Sequence, residues 1–236
     1  MYQEVTRTLP QRKEVQDELA EIPVEAGISN LHTIYRCGGL VFPIALTVTV
    51  PTRSRGAHMS RLVGAVLSNT EGRNIEDALR RVCREVDMTQ NGCRVRCEFS
   101  YPFEDQFMEV SIELKAIGGI KYAFMKHGIT ACPCSKEECG IGHMQRSRIR
   151  LELSSKSVID FVEVAKKLDS CFSAQFSEHL KRDEEASRIL EAQSRSRFVE
   201  DLVRECLKLF PSAQFIEARS FESIHAHDAI AFWRRQ

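Results

Sequence analysis

Residues 93–116 read CRVRCEFSYPFEDQFMEVSIELKA. Cys93, Val95, Cys97, Phe99 and Tyr101 fall on one face of an extended chain, and Arg94, Arg96, Glu98 and Ser100 on the other. Further on, Met108, Val110, Ile112, Leu114 and Ala116 repeat the alternation against Glu109, Ser111, Glu113 and Lys115. Successive side chains of a strand point to opposite faces, so this period of two predicts two half-buried antiparallel strands, with the YPFED segment (101–105) as the hairpin loop. A sheet with one apolar face needs a second layer to cover it, which makes the fold class α+β.

Flanking segments supply both layers. Phe42, Ile44, Leu46, Val48 and Val50 mark another strand, as do Ile149, Leu151 and Leu153 between Arg148, Arg150 and Glu152. Asn74 is placed to cap a helix with Ile75, Leu79, Val82, Cys83 and Val86 inward. Ser157 is placed to cap a second, with Val158, Phe161, Val162, Ala165 and Leu168 inward. A third runs from about Ser196 to Leu209, with Pro211 as its stop. Residues 1–23 read as a polar arm. Two strands, a helical region and two strands then fill 24–118, and a similar order fills 119–236. Each half is expected to be a small antiparallel sheet with helices on one face, whose open edges favour self-association.

Composition narrows the function. Hydrophobic residues make up 43% of the 236, enough for a core. Thirty-three basic residues balance thirty-three acidic ones, so no global field recruits nucleic acid or an anionic membrane, and any anion site must be local. No run approaches the roughly 18 apolar residues of a membrane span, and the start, MYQEVTRTLPQRKEV, lacks the apolar centre of a signal peptide. The expected compartment is the cytoplasm, where the nine cysteines stay reduced.

The chemistry concentrates in TACPCSKEECGIGH, residues 130–143, read as a glycine-containing loop. Cys132, Cys134, Cys139 and His143 offer thiolate and imidazole, donors that suit zinc and similar ions. The spacing alone leaves a closed structural site and an open catalytic site equally supported. Near the C-terminus, SFESIHAH (220–227) brings Glu222, His225 and His227 together, and two histidines two apart on an extended segment share a face. Glu184, Glu185, Glu200 and Asp201 add carboxylates, which solvated helix ends also favour. RSRGAHMSR (53–61) follows a strand and opens a helix, a setting for phosphate binding or for a plain basic turn.

Five segments, RGAHMSR (55–61), ACPCSK (131–136), GHMQRS (142–147), FVEDLVR (198–204) and FESIHAH (221–227), resemble, in order, the signature segments of the GTP cyclohydrolase IB family. The resemblance implies a tunnelling fold of two β-β-α-α-β-β modules per subunit (24–118 and 119–236, the second carrying most of the site) and a homotetramer with active sites between subunits. It implies conversion of GTP and water to formate and 7,8-dihydroneopterin triphosphate, with one divalent ion (Fe²⁺, Mn²⁺ or Zn²⁺) per subunit. By the same resemblance Cys132, His143 and Glu185 are metal ligands, with His225 a fourth or acting through water. Glu222 anchors the guanine ring, Glu200 and His225 move protons, and Cys134, beside the metal rather than on it, is the third catalytic residue. His58, Arg61, Lys136 and Arg146 contact the triphosphate. Glu184 is the alternative to Glu185, because the segment lacks the family's proline there, and Cys139 is an extra thiol. The competing readings are a structural-zinc module and another pterin or deazapurine enzyme of the same fold. The latter would use a nucleophilic cysteine without metal.

Overall fold

The computed structural model describes residues 14–37, 39–90 and 92–236; residues 1–13 of the expected N-terminal arm lie outside it. After a 3-10 turn at Val15–Asp17 come strands β1 (Leu19–Cys37) and β2 (Leu40–Ser54), then helices α1 (Met59–Leu67) and α2 (Ile75–Asp87). Strands β3 (Arg94–Phe103), β4 (Gln106–Lys115) and β5 (Ile120–Ala131) follow, then α3 (Pro133–Cys139) and β6 (Met144–Ser155). Helices α4 (Phe161–Cys171), α5 (Arg182–Ser194) and α6 (Val199–Leu209) lead to β7 (Phe215–Phe221) and β8 (Ala229–Arg234). The eight strands form one sheet in sequence order, every neighbouring pair antiparallel. The architecture is α+β: helices α1, α2, α4 and α6 pack on one face of the sheet, and α5 meets the other face at the end of β5 and β6, where Ala192 packs with Ala131, Ile129 and Met144. None of the helices among the described residues is long and apolar enough to cross a membrane.

The alternation read from residues 93–116 is the structure's own. Val95, Cys97, Phe99, Met108, Val110, Ile112 and Leu114 are buried beneath the helices. Arg96 and Glu98 face away and pair at 2.6 Å. The hairpin is tighter than expected. Tyr101, Pro102 and Phe103 stay in β3, opposite Met108, Phe107 and Gln106, and only Glu104 and Asp105 turn. Glu104 takes the left-handed conformation at φ 55°, which a two-residue turn demands.

Helix starts follow local hydrogen bonding. The Asn74 side chain accepts from Asp77 N at 2.8 Å, the expected cap. Ser157 does not cap α4. Its N–H donates to Ser155 Oγ at 3.1 Å, so the two serines close a turn of their own and leave Val158 exposed. Asp160 caps instead, accepting from Val162 N and Glu163 N. Helix α6 starts at Val199, later than expected, where the Asp201 carboxylate accepts from Phe198 N at 3.0 Å. The expected metal loop contains a helix, α3, with Pro133 in its first turn and Gly140 left-handed (φ 79°) just past its end.

The halves share a buried polar contact. Glu76, in the first turn of α2 and 1% exposed, accepts from the Tyr122 hydroxyl of β5 at 2.8 Å. Burial, before any other influence, raises its pKa above the ordinary carboxylate value. A raised folded-state pKa means the native protein holds this proton more tightly than the unfolded chain. The contribution is therefore fully present below the unfolded pKa and is lost as pH rises through the folded one. We expect Glu76→Gln, which stays neutral, to match or exceed the parent's stability at pH 8 and to show a smaller loss between pH 5 and pH 8. Glu76→Ala, which orphans the Tyr122 hydroxyl, is expected to cost about 1–3 kcal/mol at both. Urea denaturation at the two pH values measures both.

Candidate functional site

The β5–β6 register brings Cys132 and His143 together. The last pair of that ladder is Ala131↔Met144, so Cys132 and His143 are the next residues on either side. Cys132 N donates to the His143 carbonyl at 2.9 Å, and the whole of 133–142 is an excursion from this closed pair. Gly142 permits the closure, because a Cβ there would stand 2.5 Å from the Cys132 carbonyl oxygen. Its backbone is held from the other side by Gln193 of α5, which accepts from Gly142 N and donates to Gly142 O, both at 2.8 Å. His143 N donates to Ser135 Oγ at 3.0 Å, tying the returning chain to α3.

The next strand adds the C-terminal cluster. Arg146 pairs with Phe221 in the β6–β7 ladder, so Glu222 leaves β7 beside His143. Glu222 Oε2 lies 3.8 Å from His143 Nδ1, with both side chains largely buried. The His225 ring stands 6.1 Å from the His143 ring, and His227 stacks on His225 at 5.2 Å. Ligand atoms of His143, Glu222 and His225 all lie within 4.8 Å of one another. A cavity of about 250 Å³ is lined by these three with Cys132, Gln145, Arg197, Glu200 and His227, among others. Glu200 enters from the first turn of α6. One thiol, three imidazoles and two carboxylates thus converge on a space of small-ligand size, a donor set that suits a divalent ion of the zinc and iron type.

Other expected site residues stand elsewhere. Cys134 is exposed on α3 and does not line the cavity. The Cys139 thiol donates to the carbonyls of Ser135 (3.0 Å) and Ile141 (3.3 Å), spending itself on its own helix end. Helix α3 thus separates the thiols, and among the described residues Cys132, Cys134, Cys139 and His143 do not form one cluster of donor atoms. Glu185 is exposed on α5 and does not line the cavity. The neighbouring Glu184 carboxylate accepts from Lys181 N at 2.7 Å, capping the helix, and Glu185 lies one residue further round. Lys136 Nζ donates to the Gln193 carbonyl at 2.5 Å, clamping α3 to α5 rather than reaching into the cavity. Arg146 alternates with the buried Gln145 and Ser147 and so points to the opposite face of the sheet, where it lies over the Phe176 ring at 5.3 Å.

His58 and Arg61 belong to the other half. His58 lines a separate cavity of about 510 Å³ with Asp17, Arg53 and Gln90. Its ring lies 3.1 Å from both Glu14 and Asp17, and Arg55 pairs with Glu18 at 2.8 Å, so the acidic turn before β1 covers this basic loop. Arg61 is exposed on α1. One chain therefore does not bring the basic loop to the Cys132–His143 cavity.

Two lining residues escaped the sequence reading. Gln145 stands two residues after His143 on the same strand, and its Oε1 accepts from His143 Nδ1 at 2.8 Å. The period of two was the available signal. Arg197 donates from its backbone to Ala131 O at 3.0 Å and from its guanidinium to Cys171 O at 2.6 Å, locking the entry of α6 to the end of β5. No local pattern announces that contact.

Residues 27–231 match the family model described as Type I GTP cyclohydrolase folE2. The chain is 28% identical over 243 residues to GTP cyclohydrolase FolE2 of Neisseria meningitidis serogroup A, covering 91% of this chain and 81% of that protein. It is 30% identical over 226 residues to GTP cyclohydrolase MptA of Aeropyrum pernix, covering 79% and 80%. Among solved structures it is similar to uricase from Arthrobacter globiformis, with a TM-score of 0.48, 9% identity, and 93% and 96% of the two chains covered.

Two glycines, one beside the site and one far from it, test local packing. Gly142→Ala forces the Cys132 carbonyl to move and is expected to cost roughly 1–3 kcal/mol. Gly64→Ala, in an exposed turn of α1 with open space for the methyl, is expected to be neutral or stabilising by up to about 1 kcal/mol. Chemical denaturation of the pair reads both signs.

Proposed function

The chain belongs to the type I GTP cyclohydrolase folE2 family, and from that membership we propose how its residues divide the work. The chain is a GTP cyclohydrolase of pterin and folate biosynthesis. The reaction we assign is hydrolysis at C8 of GTP, with release of formate and formation of 7,8-dihydroneopterin triphosphate. The observation that carries the site assignment is the convergence of His143, Glu222 and His225, with ligand atoms within 4.8 Å of one another, in the cavity that also holds Cys132 and Glu200.

Cys132 and His143 would hold a divalent ion, Fe²⁺, Mn²⁺ or Zn²⁺, with His225 as a further ligand or acting through water; Glu185, which the family resemblance adds, does not line this cavity. When bound, the ion supplies Lewis acidity and a source of hydroxide near neutral pH. The protein's residues do the rest. Glu222, largely buried at the cavity wall, accepts from the N1–H and exocyclic amine of guanine, two charge-assisted bonds that orient the ring. Glu200, on α6, and His225, on the β7–β8 connection, line the same cavity and would supply protons to the ring nitrogens as the imidazole ring opens and formate leaves. Cys134, on α3, stands beside the site rather than in it.

The triphosphate needs cations that this cavity does not gather. We read the fold as a tunnelling fold whose modules, 24–118 and 119–236, assemble with further copies into a homotetramer. In that assembly the 53–61 loop of a neighbouring copy, with His58 and Arg61, completes the site, whereas Lys136 and Arg146 of the same chain are engaged elsewhere. Both sheet edges support association: Leu19 and Ile22 on β1 are 89% and 74% exposed, and Phe232 on β8 is 68% exposed. The nine cysteines are all thiols, in keeping with a reducing, cytoplasmic setting.

Formate release from GTP, measured after chelation and separate re-addition of Fe²⁺, Mn²⁺ or Zn²⁺, tests the metal reading. We expect activity to return with at least one ion and the fold to survive chelation; unfolding on chelation would favour a structural metal instead. Cys132→Ala and His143→Ala are each expected to lose bound metal and formate production while keeping a cooperative melt. Glu222→Ala is expected to raise KM for GTP roughly 10- to 100-fold through unpaired guanine donors, with metal content unchanged. Loss of metal from that variant would make Glu222 a ligand.

A further inference from the structure

The helix-facing side of β5, β6 and β7 is apolar along most of its length, through Tyr122, Phe124, Ile149, Leu151, Ile216 and Ala218. At the end nearest His143 the pattern changes. Thr130 of β5, Gln145 and Ser147 of β6 and Ser220 of β7 take core-facing positions at 1%, 9%, 0% and 1% exposure. Thr130 lies directly across from Gln145, and Ser147 directly across from Ser220. Four polar side chains in a core are costly unless each is hydrogen-bonded. Each of these is. Thr130 and Ser147 hydroxyls meet at 2.6 Å, Ser147 and Ser220 at 3.3 Å, and Thr130 and Ser220 at 3.4 Å. Gln145 Nε2 donates to Thr130 Oγ1 at 3.2 Å.

A cluster that only filled space would close on itself. This one reaches the cavity, where Gln145 Oε1, an acceptor, lies 2.8 Å from His143 Nδ1. The other acceptors near that nitrogen are farther away, Ser223 Oγ at 3.5 Å and Glu222 Oε2 at 3.8 Å. Gln145 thus offers Nδ1–H a neutral acceptor oxygen and leaves the Glu222 carboxylate to a ligand. We propose that Gln145, braced by Thr130, Ser147 and Ser220, is a positioning residue that fixes the ring orientation and the Nδ1–H tautomer of His143, so that Nε2 is the nitrogen offered to a divalent ion. The inference rests on the metal reading given above. The buried hydroxyls hold the amide, the amide holds the ring, and the ring meets the ion with little freedom left to lose.

The test uses the full-length protein and Co²⁺ as a spectroscopic probe. Affinities for Co²⁺ and Zn²⁺ come from competition with a chromophoric chelator. Gln145→Met keeps the volume and removes the acceptor. It is expected to weaken metal binding by about 10- to 100-fold, to alter the Co²⁺ d–d bands, and to lower kcat with KM for GTP nearly unchanged. Gln145→Glu returns an oxygen acceptor and is expected to recover most of the affinity. Thr130→Val, which frees the amide without touching His143, is expected to weaken binding by a smaller factor, and it carries the test if Gln145→Met does not fold. Parental affinity and an unaltered Co²⁺ spectrum in Gln145→Met, or in Thr130→Val where it stands in, would overturn the positioning role. So would an equal loss in Gln145→Glu and Gln145→Met. Failure of the parent protein to bind either ion would overturn the metal reading, and this inference with it.

Discussion

The continuous antiparallel register of β5, β6 and β7 is the constraint on which the site depends. The β5–β6 ladder ends at Ala131↔Met144, which sets Cys132 against His143, and the β6–β7 ladder starts at Arg146↔Phe221, which delivers Glu222 to the same place. A slip of one residue in either ladder would turn Gln145, Ser147 and Ser220 out of the core and carry the ring of His143 with them, because side chains alternate faces with period two. The apolar run of Phe124, Ile149, Leu151, Ile216 and Ala218 fixes that register, since the wrong one would expose it. The chemistry at the strand ends is in this sense held by hydrophobic burial a few residues away.

Around that register the helices act as clamps. Helix α5 grips the 133–142 excursion through Gln193, which pairs both ways with Gly142 and accepts from Lys136 through its carbonyl. The entry of α6 is bound to the end of β5 through Arg197, which carries Glu200 to the cavity wall. These contacts turn Lys136, whose charge suited an anionic substrate, into a structural tie, and Arg197 is another. Lys136 and Arg197 both satisfy backbone carbonyls, groups that are costly to bury unpaired.

Much of the fold was legible because its signals are local. The alternation of residues 93–116, the Asn74 cap and the apolar faces of α2 and α6 need only nearest neighbours along the chain. The errors have local causes too. Ser157 loses the cap of α4 to Asp160 because Ser155 engages it, and the expected metal loop forms α3 because Pro133 starts a helix there and Gly140 stops it. In the site, Cys132, His143, Glu200, Glu222 and His225 could be named from short segments, and they do share a cavity. Lys136, Arg146 and Glu185 lie in equally suggestive segments but point elsewhere. Their directions are set by alternation, by helix phase and by competing acceptors rather than by residue type.

The sequence by itself determined the α+β class, the alternating strands, most of the helices and the residue types able to bind a metal and a guanine ring. These depend on periodicity and donor chemistry, which a linear string carries in full. Tertiary structure alone decided which of those residues meet. Strand pairing chose Cys132 and His143 over Cys134 and Cys139, alternation sent Gln145 inward and Arg146 outward, and the acidic turn at Glu14–Glu18 covered the basic loop around His58. The physical reason is that a partner's distance along the chain says little about its distance in space. Register and side-chain direction are settled only when the whole apolar face of the sheet is buried at once.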